Sequence, residues 1–218
     1  MYGFKPIKAE VLAVKLIPNV NEYMKKELNL KPEHRSIGML TLTIDDVGYT
    51  AIDEATKKAD VEVVYAKSFY AGAAHASGPL SGEFIGILAG PNPAEVKSGL
   101  NAAIDFAEND AFFWAADEEG QIAFYAQCIS RTGSYLSAMC NIPEGQPLAY
   151  LIAPPIEAVY AVDAAIKAAE VEMKVFFGPP SETNFAGALL TGSQSACKAA
   201  CDAFAAAVME VAAHPKRF

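Results

Sequence analysis

The chain has 218 residues and a formal net charge of −9, with 52% hydrophobic and 20% charged residues. This length accommodates two domains of about 100 residues each, and the hydrophobic content excludes a chain that is disordered throughout. The negative charge excludes a nucleic-acid-binding surface, because phosphates require clustered Lys and Arg.

The predicted elements follow the order strand, helix, strand, helix, strand, strand, helix, and this order occurs twice. Alternating apolar residues predict the strands, and stretches that end near proline or glycine predict the helices. The first copy has a strand at 10–18, helix 21–30, strand 38–44, a helix ending at Asp60, strands 61–70 and 83–90, and a final helix containing 94–103. The second copy has a strand at 121–129, helix 133–142, strand 148–154, a helix ending at Glu170, strands 171–177 and 187–192, and a final helix containing 195–204. This order predicts an α/β fold, an α+β sandwich in which each copy forms a mainly antiparallel sheet with flanking helices.

The two copies also match residue by residue. Residues 51–62 read AIDEATKKADVE and residues 161–172 read AVDAAIKAAEVE, with seven of twelve positions identical. Pro-Glu pairs at 32–33 and 143–144 keep nearly the same spacing before this match, and AEVKSGLNAA at 94–103 faces SACKAACDAF at 195–204 after it. Collinear matches on both sides indicate a duplication. We therefore predict a first domain over 1–118 and a second over 119–218.

The cysteines give no sign of a metal site or a disulfide framework. Cys128, Cys140, Cys197 and Cys201 all lie in the second half, without C-x-x-C spacing. Cys197 and Cys201 share one helical face, for which core packing is the simpler explanation than zinc. No apolar run reaches the roughly 18 residues of a membrane span, and the start lacks a signal-peptide layout. We expect a cytoplasmic protein with reduced thiols, no metal, no cofactor and no lipid-membrane partner.

Catalytic motifs are missing as well. There is no G-x-S-x-G, no H-E-x-x-H and no glycine-rich phosphate loop. Residues 131–137 could hold an anion at a helix start, but helix capping by Thr132 or Ser134 explains them equally well. These observations favour a non-enzymatic protein. A duplicated small-molecule-binding regulatory domain is one alternative.

The pattern D-x-x-x-K-x-A-x-V occurs twice, at Asp53–Val61 and Asp163–Val171, each time leading into a strand. A helix with this pattern resembles the bacterial microcompartment shell domain. KLIPNV stands before the helical half rather than last, as in circularly permuted shell domains. Two permuted domains in one chain, with the strings YAGAAH, GPNPAEV and LTGSQSACKAAC, resemble the tandem-domain shell proteins of ethanolamine utilisation over nearly the full length.

The resemblance implies a structural role in a shell within the cytoplasm. Such tandem proteins form homotrimers whose six domains make a pseudo-hexameric tile, which contacts other microcompartment shell proteins. Lys57 and Lys167 take the positions of the family's tile-edge lysines, and the surrounding repeat favours this role over the alternative of two solvated helix lysines. Ethanolamine is the expected metabolite. Whether a corrinoid is a ligand or crosses the shell stays open at this stage.

In a six-domain ring, the loop after each V-E strand would point toward the central axis. Copy one carries nine extra residues in this region, rich in Gly, Ala and Ser, whereas copy two has the stiff pair Pro179-Pro180. An adaptable loop alternating with a braced one predicts a gated central pore, and an ordinary surface loop is the alternative. The pore-loop residues predicted here are Tyr70, Ala73, His75, Gly82, Pro179, Pro180, Glu182 and Asn184.

A second set of residues predicts a small-molecule site. Asp45 and Asp46 precede a helix, which one of them is expected to cap, and Glu83 opens an apolar strand. Carboxylates with an aromatic wall such as Phe112 suit a small ammonium with a hydroxyl group, and the resemblance implies that ethanolamine binds near a small pore. In the second copy, the positions facing the aspartates lie near Pro155-Ile156-Glu157, and Leu189 lies near the position equivalent to Glu83. Helix capping plus surface charge is the alternative.

Overall fold

The computed structural model describes residues 3–69, 78–181 and 183–217. Its elements, in chain order, are β1 (Pro6–Lys8), β2 (Val11–Ile17), α1 (Glu22–Glu27), β3 (Ser36–Leu42), α2 (Asp45–Lys58), β4 (Glu62–Ser68), β5 (Phe84–Gly90), α3 (Pro93–Asn109), β6 (Phe112–Ala115), β7 (Ala123–Ile129), α4 (Ser134–Cys140), β8 (Leu148–Ala153), α5 (Pro155–Ala168), β9 (Val171–Phe177), β10 (Ala186–Gly192) and α6 (Gln194–Ala213). The predicted order of strands and helices is confirmed in both copies.

Two compact units divide these elements. The first-repeat unit consists of 9–69, 78–111 and 133–136, and the second-repeat unit consists of 3–8, 112–132, 137–181 and 183–217. These limits differ from the division between 118 and 119, which stays a prediction about the extent of the duplicated domains. The tetrapeptide Gly133–Leu136, which includes the start of α4, clusters with the first repeat.

The first-repeat unit contains a four-stranded antiparallel sheet in the order β2-β3-β5-β4. Helices α2 and α3 pack against each other and against this sheet. Asn92 caps α3 by accepting hydrogen bonds from the backbone N–H groups of Ala94 and Glu95, and Pro93 follows as the first helical residue. The buried residues Leu42, Phe84 and Leu88 place the hydrophobic core between sheet and helices.

The second-repeat unit contains a six-stranded antiparallel sheet in the order β1-β6-β7-β8-β10-β9. Its last four strands repeat the β2-β3-β5-β4 arrangement, and α5 and α6 pack on them as α2 and α3 do. Alanines and Phe204 fill most of this core. The short strands β1 and β6 have no sequence-based prediction, because three and four residues are too few to show a period.

Within the described ranges, no helix combines the length and hydrophobicity that crossing a membrane requires.

Candidate functional site: a carboxylate cluster at the start of α2

Asp45 and Asp46 are the first two residues of α2, and each is only 7% exposed. The expected N-cap role is wrong, because Ile44 occupies the N-cap and makes no side-chain hydrogen bond to the helix. Inside the first turn, both carboxylates instead face the positive end of the helix dipole. A Cβ added at Gly48 would come within 2.4 Å of Phe84 Cδ1, so this turn lies directly on β5.

Glu83 stands immediately before β5, where the backbone fixes its position. Its N–H donates to the carbonyl oxygen of Leu42 at 2.8 Å, and its own carbonyl accepts from Phe69 N–H at 3.1 Å. The preceding Gly82 has φ +62°, and an added Cβ would lie 1.9 Å from the Leu42 carbonyl oxygen. Only glycine fits this conformation and this approach. Gly82 therefore fixes the backbone position of Glu83. The predicted role of Gly82 in a pore loop is a separate question.

The electrostatics bring Glu83 and Asp45 together. Burial raises the pKa of Glu83, and the negative charge of Asp45 raises it further. A buried carboxylate beside a second negative charge favours a cation between the two groups. The structure thus brings together three of the four residues predicted to bind the ligand, all within the first-repeat unit.

Tyr49 joins this cluster, although the sequence analysis missed it. Its hydroxyl donates to Ser68 Oγ at 3.2 Å, and its ring meets Phe84 edge-on at 4.9 Å between centroids. Burial raises the pKa of Tyr49, and the charges of Asp45 and Asp46 add to this effect. The spacing from Asp45 to Tyr49 is four residues, which places both side chains on one helix face and could have indicated this neighbour.

Phe112 begins β6 in the second-repeat unit. The ammonium of Lys8 lies 5.3 Å from its ring centroid, so a cation of the chain itself already occupies one side of this aromatic ring. Its part in ligand binding stays a prediction from the sequence.

In the second repeat, the corresponding positions carry no carboxylates. Pro155 and Ile156 begin α5, as Asp45 and Asp46 begin α2. The residue equivalent to Glu83 is Phe185, which immediately precedes β10, and Leu189, which the sequence places near it, is buried further along that strand. The carboxylate cluster is a feature of the first repeat.

Four of the predicted pore-loop residues, Tyr70, Ala73, His75 and Glu182, lie outside the described residues. The others, Gly82, Pro179, Pro180 and Asn184, are described. In the loop after β9, Ser181 N–H donates to the Phe185 carbonyl at 2.9 Å, and Asn184 N–H donates to the Ser181 carbonyl at 3.1 Å. Asn184 has φ +66°. This loop therefore contains a tight, hydrogen-bonded turn next to its two prolines.

The two lysines predicted to lie at a tile edge differ in their surroundings. Lys57 is 21% exposed and pairs with Asp53 and Glu54 of its own helix, whereas Lys167 is 74% exposed and pairs with Asp163 at 2.5 Å. The difference originates in the aspartates, because Asp53 is fully buried and Asp163 is 62% exposed. The edge role of both lysines stays a prediction.

Asp53 is fully buried because it binds backbone groups at the start of α4. Its carboxylate accepts hydrogen bonds from Gly133 N–H and Leu136 N–H, each at 2.8 Å. Thr56, one turn further along α2, accepts from Ser134 N–H at 3.0 Å. Burial raises the pKa of Asp53, although these N–H donors and Lys57 favour its anion. Gly133–Leu136 is thereby fastened to α2.

The cysteines show packing roles. Cys197 and Cys201 lie in the core of the second-repeat unit. Burial raises the pKa of the Cys197 thiol to about 11. Burial also raises the pKa of the Cys201 thiol. Thiols with raised pKa values remain protonated and inert at neutral pH. Helical spacing in the core explains this pair.

Comparison with known proteins gives consistent matches. The BMC domain family matches residues 36–116. The bacterial microcompartment shell protein EutL of Clostridium perfringens is 64% identical over 97% of this chain and 98% of its own length. The EutL protein of Escherichia coli is 53% identical over 96% of this chain and 95% of its own length. The crystal structure of ethanolamine utilization protein EutL from Leptotrichia buccalis has 65% identity, covers 99% of this chain and 100% of that chain, and superposes with a TM-score of 0.96.

The duplicated antiparallel fold and these matches define the class as tandem, permuted BMC-domain proteins of the microcompartment shell. Within that class, the chain belongs to the EutL family of bacterial microcompartment shell proteins. This family is structural rather than catalytic, and its place is the microcompartment shell.

Proposed function

We propose that three copies of this chain form a flat, pseudo-hexameric tile with a central pore, which contacts other shell proteins of an ethanolamine-utilisation microcompartment. The main support is the repeated fold. Each chain supplies two domains of the same architecture, so a three-fold ring presents six similar domains to its neighbours. The family membership supports the shell role of this assembly.

Light scattering on the purified protein tests the trimer. We expect a mass three times the 23.2 kDa of one chain, independent of concentration over the micromolar range. A mass of one chain would contradict the tile, because a monomer cannot close a six-domain ring.

For the ligand, we propose that the carboxylate cluster of Asp45, Asp46 and Glu83 binds the ammonium group of ethanolamine. The observation that carries this proposal is the pairing of Glu83 with Asp45 in a partly buried place, where burial raises the pKa of Glu83 and repulsion by Asp45 raises it further. A bound ammonium would replace this repulsion by two charge-assisted hydrogen bonds. It would also lower the pKa of Glu83, because a neighbouring positive charge favours the anion.

The other end of the ligand carries a hydroxyl group. Tyr49 and Ser68 already share a hydrogen bond beside the carboxylates, and a hydroxyl both donates and accepts. We propose that the ethanolamine hydroxyl joins this pair. A monoamine without the hydroxyl would then bind more weakly than ethanolamine.

Gating of the central pore belongs to the same proposal. It is supported by the composition of the two loops and by the braced turn between Ser181 and Phe185. We propose that the longer loop of the first repeat forms the adjustable part of the rim of the central pore. A corrinoid is a second candidate metabolite, either as a ligand or as a molecule that crosses the shell.

A further inference from the structure

The two repeats differ most in the exposure of one helix face. In the first repeat, the side of α2 that carries Tyr49, Asp53 and Thr56 is covered by Gly133–Leu136. Tyr135 stacks on Tyr49 with 6.2 Å between ring centroids and an interplanar angle of 5°, and Leu136 is fully buried. This contact lies within the first-repeat unit.

In the second repeat, the equivalent face is open within the described chain. Helices α2 and α5 align with an offset of 110 residues, so Val159 is equivalent to Tyr49 and Asp163 is equivalent to Asp53. Val159 is 47% exposed, and its neighbours Ile156 and Tyr160 are 74% and 49% exposed. We define Ile156, Val159, Tyr160 and Asp163 as the α5 face.

The element equivalent to the covering segment is equally exposed. Helices α1 and α4 end with equivalent hydrogen bonds. Leu30 N–H donates to the Lys25 carbonyl oxygen after α1, and Ile142 N–H donates to the Ser137 carbonyl oxygen after α4. Asn29 and Asn141, which follow these helices, both have φ +50°. This register makes Tyr23 the counterpart of Tyr135, and Met24 the counterpart of Leu136.

Exposure contrasts sharply between these counterparts. Tyr23 is 84% exposed and Met24 47% exposed, and α1 contains no buried residue. The face of α2 is therefore covered by a buried segment, whereas the face of α5 is open and helix α1 is exposed. Every copy of the chain thus carries both halves of the missing contact, α1 in the first-repeat unit and the open face of α5 in the second-repeat unit.

We infer that α1 of one copy covers the α5 face of a second copy, in the manner in which Gly133–Leu136 covers α2 within one chain. This inference rests on the trimer proposed above and names the surface that joins its subunits. The contact is heterologous, since α1 meets α5 rather than another α1, and a heterologous contact closes into a ring when its rotation is a whole fraction of a turn. It would bury Tyr23, Met24 and Val159, which are exposed in the single chain.

The two contacts cannot be identical in detail. A Cβ at Gly133 would lie 2.2 Å from Thr56 Oγ1, whereas the counterpart of Gly133 in α1 is Asn21. Helix α1 therefore lies further from α5 than α4 lies from α2, and the contact depends on the longer side chains Tyr23 and Met24.

Site-directed cross-linking tests this surface. A Tyr23→Cys/Val159→Cys variant treated with a short bismaleimide is expected to give a covalently closed trimer on a denaturing gel. The unmodified chain with its four native cysteines, and the two single-cysteine variants, are the controls. Trimers confined to the double variant support the inference. Dimers formed by either single variant would overturn it, because they indicate α1–α1 or α5–α5 contacts.

A matched pair of charge substitutions tests the α1–α5 contact separately from the existence of the trimer. Met24→Glu is expected to reduce the light-scattering mass from three chains to one, with an unchanged circular dichroism spectrum. Met173→Glu alters a similarly exposed methionine, 44% against 47%, on β9 and is expected to remain trimeric. A folded Met24→Glu trimer would overturn the α1–α5 contact while leaving the trimer intact. A monomeric parent protein would instead contradict the proposed function.

Discussion

An Asp53→Ala variant is expected to lose roughly 3 kcal/mol of its free energy of unfolding. The substitution leaves the N–H groups of Gly133 and Leu136 buried without their acceptor, and each unsatisfied buried donor costs about 1–3 kcal/mol. It also removes a partner of Lys57. Urea denaturation followed by circular dichroism measures this loss.

Two further variants define what the loss means. Asp53→Asn keeps one carbonyl oxygen as an acceptor and is expected to lose less than the alanine variant. Asp202→Ala removes an exposed carboxylate that pairs with Lys198, and a change of no more than about 0.5 kcal/mol is expected. Equal stability of the Asp53→Ala and Asp202→Ala variants would show that Gly133–Leu136 does not depend on Asp53.

The second large effect concerns ligand binding. An Asp45→Asn/Glu83→Gln variant is expected to bind ethanolamine about 100-fold more weakly, because two charge-assisted interactions of about 1.5 kcal/mol each are lost. Isothermal titration calorimetry gives both dissociation constants. The Asp105→Asn/Glu108→Gln variant, altered on exposed positions of α3, removes the same formal charge and is expected to bind normally.

The pH dependence of binding gives an independent signature. Burial and the charge of Asp45 raise the pKa of Glu83, so this carboxyl gains a proton at a higher pH than an ordinary glutamate, and the site then loses one negative charge. Ethanolamine affinity is therefore expected to fall as the pH is lowered from neutrality through this raised pKa. The Glu83→Gln variant should have a flatter profile. An affinity that is independent of pH and of Glu83 would contradict the site.

The same raised pKa has a consequence for stability. A carboxyl group whose pKa is higher in the folded state holds its proton more tightly there, so its contribution to stability falls as the pH rises through this range. A bound ammonium reverses that penalty. We therefore infer that the carboxylate cluster serves ligand binding rather than the stability of the fold.

The order of elements could be predicted because the same pattern appears twice. A single segment such as LAYLIAP is ambiguous by itself, but its alignment with GMLTLTI made both strands predictable. The charges at Asp45, Asp46 and Glu83 were informative for the opposite reason, since each interrupts an apolar context. All three lie within the first-repeat unit, and their part in ligand binding stays a prediction.

The remaining features depend on contacts that no local pattern contains. Strand β1 pairs with β6 across about 100 residues of sequence, and neither is long enough to show alternation. Neither Asp45 nor Asp46 is the N-cap of α2 that the sequence predicts, because Ile44, which lacks a capping side chain, takes that position. The burial of Asp53 depends on Gly133 and Leu136, 80 and 83 residues away, so its sequence motif could not distinguish it from the exposed Asp163.

Electron microscopy of the purified protein tests the central proposal most directly, namely that three duplicated chains close into one tile. Class averages are expected to show a flat particle with a three-fold axis, six similar lobes and a central opening. Particles of a single chain, or rings without three-fold symmetry, would contradict it.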